Sequence, residues 1–167
     1  HLASRRQRQM CIRDRSGPTV FKGYLNDPIK TKETISSDGW LSTGDFGSLS
    51  EDGFISYHGR LKDMLKVGGE NVAALEIESF YNNHEGVMLS QVIGVEDERL
   101  GEVPALFVER KEGAKITANE LIKSAEGKIS NFKIPRYVVF VNEWPMSSTK
   151  VQKFKLKDFE LGEKVFG

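Results

Sequence analysis

Four side chains in this sequence combine a charge with a neighbouring glycine or turn, and such pairings suit anionic and hydroxyl-bearing ligands. Asp45 closes the run Trp40-Leu41-Ser42-Thr43-Gly44-Asp45. A carboxylate at a tight turn can accept from two vicinal hydroxyls at once. Arg60 follows Gly59, fifteen residues after Asp45, and a rigid guanidinium fork suits oxygen-rich ligands. Lys66 precedes Gly68-Gly69, and glycine lets backbone approach a ligand closely. Lys150 sits in Pro145-Met146-Ser147-Ser148-Thr149-Lys150-Val151-Gln152-Lys153, with Lys153 its nearest basic neighbour. Each also has a plain structural reading. Gly44-Asp45 is a hairpin turn, Arg60 a surface ion pair, Gly68-Gly69 another turn, and residues 150–157 a solvated basic stretch.

The elements that must position these residues are short. Thr19-Val20-Phe21 is β-prone, and Asn26-Asp27-Pro28 and Ser37-Asp38-Gly39 are turn signals. Residues 40–43 and 46–49 read as extended on either side of Gly44-Asp45. Glu51-Asp52-Gly53 then turns a hairpin into Phe54-Ile55-Ser56-Tyr57. Met64–Val67 is a strand ended by Gly68-Gly69. Ala74, Ile77 and Tyr81 share one face of a helix, with Glu76 and Glu78 elsewhere. Asn82-Asn83 ends it, Asn being tolerant of the left-handed conformation. Residues 91–95 and 105–108 are strands. Thr117-Ala118-Asn119-Glu120 is a capping box for a helix whose apolar face is Leu121, Ile122, Ala125 and Ile129. Pro135 precedes a buried-type strand at 137–141, and a last short helix is expected over 153–161. From residue 60 this mixture predicts a small α+β domain with helices packed on an open sheet.

Composition narrows the class. The 167 residues, 38% hydrophobic and 29% charged, fit an ordinary globular protein with a real core. No run approaches the ~18 apolar residues of a membrane span. The one cysteine, Cys11, allows neither an internal disulfide nor a CxxC metal site, and fits a reducing, cytoplasmic setting. His84 follows a helix and reads as structural, and no metal-ligand cluster is present. Net charge is zero, but Arg5, Arg6, Arg8, Arg13 and Arg15 crowd the first sixteen residues against the single acid Asp14. Residues 1–16 read as a non-native tail joined to sensible sequence at Gly17. They are excluded from functional argument, and with them a nucleic-acid role.

Residues 59–78, with Gly59-Arg60-Leu61-Lys62-Asp63, Val67-Gly68-Gly69-Glu70-Asn71-Val72 and Glu76-Ile77-Glu78, resemble the hinge motif of the adenylate-forming enzymes. That superfamily includes acyl-CoA synthetases, peptide-synthetase adenylation domains and luciferases. The segments around Asp45, around Lys150, at residues 17–24 and at residues 84–108 resemble further motifs of the family in the same order. The Gly68-Gly69-Glu70-Asn71-Val72 loop is most similar to that of fatty-acyl- and aryl-CoA synthetases.

The resemblance implies a mobile C-terminal domain over 60–167, hinged at about residues 60–63. Before it, over 17–59, would lie the last β-rich segment of a large ATP- and acyl-binding domain that is otherwise missing. It implies that ATP and a carboxylic acid give acyl-adenylate and pyrophosphate, and that coenzyme A then displaces AMP. Thr43, Asp45 and Arg60 would bind the nucleotide, Asp45 at the ribose. Lys62 would be the hinge, where a solvated residue can change φ/ψ without disturbing a core. Lys66, Gly68 and Gly69 would line the coenzyme A tunnel in the second half-reaction. Lys150 would bridge the substrate carboxylate and the α-phosphate during adenylation, where an ammonium offsets the repulsion of two anions. Its loop lacks the family's usual glycine and is one residue shorter. Mg²⁺ would sit on the phosphates, held mainly by the missing domain. The chain by itself is expected to be an inactive fragment. An acyl-AMP ligase, a peptide-synthetase adenylation domain or a luciferase-like enzyme is the alternative parent.

Overall fold

A computed structural model describes residues 14–166. The chain divides into two compact units, the first ending at Lys62 and the second beginning at Asp63. Residues 1–13 of the basic tail lie outside the described residues. Asp14–Arg15 forms β1, antiparallel to β2 (Leu41–Ser42).

The first unit is made of short pieces. Thr19-Val20-Phe21 is not a strand: the Val20 amide donates to Gly17 O at 3.1 Å in a turn. β-propensity expresses packing against a neighbour, and no strand pairs here. Asn26-Asp27-Pro28, expected as a plain turn, instead starts helix α1 (Pro28–Thr34). Asp27 accepts from Lys30 N at 2.9 Å, and Pro28 occupies a first-turn position whose amide would be unpaired anyway. No residue of α1 is buried, so it has no apolar periodicity by which to be recognised. Strands β3 (Asp45–Leu49) and β4 (Ile55–Arg60) form the expected antiparallel hairpin. Ser50 closes its turn, its backbone amide donating to Phe54 O and its hydroxyl accepting from Phe54 N. A bulge falls between Phe46 and Gly47. A Cβ at Gly47 would lie 2.6 Å from the Ser56 carbonyl oxygen, so only glycine permits that approach. Leu49, Phe54, Ile55 and Tyr57 are all exposed.

The second unit holds the core. Its elements are β5 (Met64–Val67), β6 (Glu70–Ala73), α2 (Ala74–Asn82), β7 (Val87–Asp97), β8 (Gly101–Arg110), α3 (Ala118–Ala125) and β9 (Tyr137–Phe140). The sheet order is β6-β5-β8-β7, with β9 also on β8. Every pairing is antiparallel except β8–β9, which runs parallel from Ala105↔Tyr137 to Val108↔Phe140. Side chains alternate along β8. Leu106 and Val108 pack with Ile77, Tyr81, Leu121, Ile122 and Ala125 of the two helices. Ala105 and Phe107 pack on the other face with Ile93, Val141, Leu156, Trp144 and Phe159. The sheet is therefore covered on both sides, which explains the unbroken apolar run Val103–Val108. The expected α+β domain with helices on an open sheet is the observed one.

Several local expectations change in detail. Glu78, placed away from the apolar face of α2, is 5% exposed and lies on the buried side. Asn83 ends α2 at φ −83°, not in the left-handed region. Its side-chain Nδ2 donates to Ser79 O, and Asn82 Oδ1 accepts from Ser90 N and Oγ. Side-chain hydrogen bonds thus end the helix without a change of hand. The capping box of α3 forms as expected. The last helix is a single 3₁₀ stretch, Lys153–Asp158.

Asp97 fixes the β7–β8 turn. Its Oδ1 accepts from the Arg99 and Leu100 amides at 3.1 and 3.0 Å, and its Oδ2 from the Lys164 ammonium at 2.6 Å. The Lys164 bond first, then the Leu100 amide, lower its pKa from 3.8 to about 2. A lowered carboxyl pKa contributes stability that is complete above the unfolded value and lost as pH falls through the folded one. Titration followed by carboxyl carbon NMR should therefore place the Asp97 midpoint near 2. The Lys164 contact should persist at pH 4 and be released towards about 2.

Candidate functional site

Within the first unit, the hairpin brings together two of the three residues expected at a nucleotide. Asp45 and Arg60 are direct cross-strand partners at the open end of β3–β4. Arg60 Nε lies 3.3 Å from Asp45 Oδ1, with the side chains 52% and 24% exposed. Thr43 Oγ1 accepts from the Asp45 amide at 3.2 Å. The Leu61 amide donates to Gly44 O at 2.9 Å, and Gly44 has φ +72°. A Cβ on Gly44 would meet nothing within 4 Å, so the backbone angle, not space, calls for glycine. An exposed cross-strand pair of this kind contributes little to stability. It leaves a carboxylate and a guanidinium side by side on one edge, with hydrogen-bonding capacity that one contact does not use up. Lys62 follows in the one-turn 3₁₀ stretch Leu61–Asp63, exposed, as the last residue of the unit.

In the second unit, Gly68 and Gly69 make the two-residue turn between β5 and β6. Their φ values of +58° and +89° are those of the primed turn that suits a twisted hairpin. The hairpin rests on the β7–β8 turn. The Gly68 amide donates to Leu100 O at 2.8 Å, and the Lys66 amide to Glu102 Oε2 at 2.8 Å. The Lys66 side chain is exposed. Leu100 and Glu102 hold this loop, a role the sequence reading had not assigned them. Their signal was present only as the turn residues Asp97 and Gly101, which shape the facing hairpin.

Lys150 sits at the end of a small loop whose neck is the bridge Met146↔Val151. The Gln152 amide donates to Pro145 O, and the Ser147 amide and hydroxyl both donate to Lys150 O. The Lys150 side chain is exposed, and its ammonium has no hydrogen-bond or ion-pair partner among the described residues. Lys153 differs. Its ammonium contacts Glu78 Oε1, a carboxylate that also accepts from the Val92 amide at 2.8 Å. Of the two neighbouring lysines, then, one is free and the other is engaged. His84 is part of a turn: its amide donates to Tyr81 O and its Nδ1 accepts from Gly86 N. Among the described residues no group of three or more His, Cys, Asp and Glu side chains is placed to hold a metal ion. No helix there is long and apolar enough to cross a membrane.

Residues 76–151 match the family model of the AMP-binding enzyme C-terminal domain. The chain is 46% identical over 151 residues to the medium-chain acyl-CoA ligase ACSF2, mitochondrial, of Bos taurus, covering 90% of the chain and 24% of that protein. It is 44% identical over 153 residues to the putative acyl-CoA synthetase YngI of Bacillus subtilis, covering 91% and 27%. Among solved structures, ATP-bound MatB from Rhodopseudomonas palustris matches with a TM-score of 0.79 at 40% identity, over 86% of this chain and 29% of that one. The o-succinylbenzoate CoA synthetase MenE of Bacillus subtilis, in complex with its acyl-adenylate, matches with 0.82 at 32% identity, over 90% and 31%. Residues 76–151 therefore carry the AMP-binding enzyme C-terminal domain, and the chain is similar to a C-terminal part of adenylate-forming acyl-CoA synthetases. It spans about a quarter of the length of the curated relatives it matches.

The two turn glycines should respond unequally to substitution. Alanine at either is forced to positive φ, at a cost of about 1–2 kcal/mol. Gly68→Ala additionally presses on Leu100 Cδ2, 3.2 Å from its Cβ, whereas Gly69→Ala meets open space. Urea unfolding of the chain should rank Gly68→Ala as the more destabilising. Lys150→Ala should stay within about 0.5 kcal/mol of the parent.

Proposed function

We propose that the chain is the C-terminal part of an enzyme that activates a carboxylic acid with ATP, forming an acyl-adenylate and pyrophosphate, and then transfers the acyl group to coenzyme A with release of AMP. The observation that carries this reading is the pair of exposed lysine loops on the second unit. One ends in the unpartnered Lys150, and the other is the Lys66–Gly69 hairpin held by Leu100 and Glu102. The names of the relatives, acyl-CoA ligases and synthetases, support the same chemistry.

Each residue then has a task. Asp45, oriented by the Thr43–Gly44 turn, accepts from the ribose hydroxyls, and Arg60 beside it steadies the nucleotide's oxygens. Lys150 places its ammonium between the attacking carboxylate and the α-phosphate. It offsets their repulsion and the charge that grows on phosphorus as the carboxylate oxygen bonds and pyrophosphate departs. A carboxylate is a poor acyl donor; as the adenylate it has AMP as leaving group, and a thiolate can attack. For that second step the Gly68-Gly69 backbone lines the path of the thiol, with Lys66 at its mouth. Mg²⁺ on the phosphates would supply charge neutralisation, and the described residues offer it no ligand cluster of their own. Lys62 is the hinge that lets one small domain serve both steps. The division of the chain between Lys62 and Asp63 supports that reading.

In this proposal residues 17–59 end a larger ATP- and acyl-binding domain, residues 60–167 are the C-terminal domain, and residues 1–16 are a non-native tail. The setting is a reducing one such as the cytoplasm. The ACSF2 relatives carry "mitochondrial" in their names.

The test is a chimaera of residues 17–167 with the ATP-binding domain of an acyl-CoA synthetase, with each half-reaction assayed separately. Lys150→Ala should lower acid-dependent pyrophosphate release by about a hundredfold or more, yet still pass preformed adenylate to coenzyme A. Lys66→Ala should show the reverse pattern, and Asp45→Ala should raise the KM for ATP. The 167-residue chain alone should release no pyrophosphate. A folded, active chimaera indifferent to Lys150→Ala would overturn the assignment.

A further inference from the structure

With its ammonium unpartnered, Lys150 is located only by its backbone, and a charged pair three residues on anchors that backbone. Glu78 is on the buried side of α2, 5% exposed. Its Oε1 accepts from the Val92 amide of β7 and from the Lys153 ammonium. Lys153 opens the Lys153–Asp158 stretch, which crosses the β7 edge of the sheet. On one side Lys153 reaches Glu78 above the helix-covered face. On the other, Leu156 is fully buried with Phe107 and Val141. The segment leaving the Lys150 loop is thus tied to both faces at once.

A partly buried ion pair, here with the Lys153 side chain 24% and the Glu78 side chain 6% exposed, is a weak source of net stability, because taking charge out of water offsets much of the attraction. It is a strong source of register. If the 150–153 segment slipped by one residue, Glu78, 5% exposed, would keep its charge with only the Val92 amide to satisfy it. The neck hydrogen bonds Gln152 N to Pro145 O and Ser147 N to Lys150 O then pass that register to the loop. The loop needs such help, because its sequence, Ser147-Ser148-Thr149-Lys150, holds no proline or glycine to stiffen or shape it.

We propose that Glu78 is a positioning residue which, through Lys153, sets the register of the loop that presents Lys150; this rests on the adenylation role given to Lys150 above. A displacement of roughly 1 Å of a catalytic group costs about a hundredfold in rate, so the pair acts on catalysis without touching substrate.

Two measurements test it. In the nitrogen-15-labelled 167-residue chain, Glu78→Gln and Lys153→Met should each speed amide exchange at Ser147 and Gln152 by about tenfold beyond any change at Leu106 and Val108, which report global opening. Lys153→Arg should restore the parent rates. In the chimaera, the same two substitutions should lower kcat for adenylation by about tenfold or more, with little change in the KM for ATP or in thioester formation from preformed adenylate. Loop amides that move only in step with the core, or an arginine that fails to rescue them, would overturn the inference. If Lys150→Ala silences adenylation while neither pair variant alters kcat, the positioning role falls alone. If Lys150→Ala is harmless while the loop amides respond as expected, the adenylation reading falls and the loop's register through Glu78 stands.

Discussion

Strand β8 excludes water on both of its faces, and the second unit is organised by that constraint. Leu106 and Val108 need a cover on one side, Ala105 and Phe107 on the other. Helices α2 and α3 supply the first, and the chain after β9 supplies the second. Burying apolar area in two directions from one strand is worth roughly 25 cal/mol for each Å² removed from water. It also dictates where the chain must travel after Phe140. The C-terminal segment is led across the sheet to seat Leu156, and the Lys150 loop lies on that route.

Around this core, carboxylates do the fastening. Glu78 accepts the Val92 amide, Asp97 the amides of Arg99 and Leu100, and Glu102 that of Lys66. A carboxylate bonded to backbone amides makes strong, directional contacts and removes the cost of leaving those amides unpaired. Glu78 ties helix α2 to β7, Asp97 shapes the β7–β8 turn, and Glu102 ties β8 to β5. The lysines divide by the same logic. Lys153 and Lys164 are committed to Glu78 and Asp97. Lys66 and Lys150 stay in solvent, where an ammonium remains available to an incoming anion.

The first unit depends on a different device. With few buried side chains, its β3–β4 hairpin takes its order from register and from glycine. Gly47 permits the close approach of Ser56, and Gly44 turns the chain so that Asp45 begins a strand opposite Arg60. The juxtaposition of carboxylate and guanidinium follows from strand pairing, since residues opposite one another on an antiparallel pair share a face.

Much of this was legible in the residues. The turns at Gly53 and Gly68-Gly69, the capping box at Thr117, the inward face of α2 and the apolar run of β8 all rest on local rules, and local rules are written in neighbouring residues. Helix α1 leaves no apolar pattern in the sequence because nothing on it is buried, and the β-propensity of Thr19-Val20-Phe21 is silent about whether a partner strand exists. The sequence by itself determined which residues are chemically capable: Asp45, Arg60, Lys66 and Lys150, each beside its turn. Only the tertiary structure decided which lysines are free. Lys150 and Lys153 are equal as letters, and their difference arises because Glu78, seventy-five positions before Lys153, is carried by a helix to a site shielded from water, where its charge requires a partner. Such pairing depends on distance through space, to which the order of residues along the chain is a poor guide.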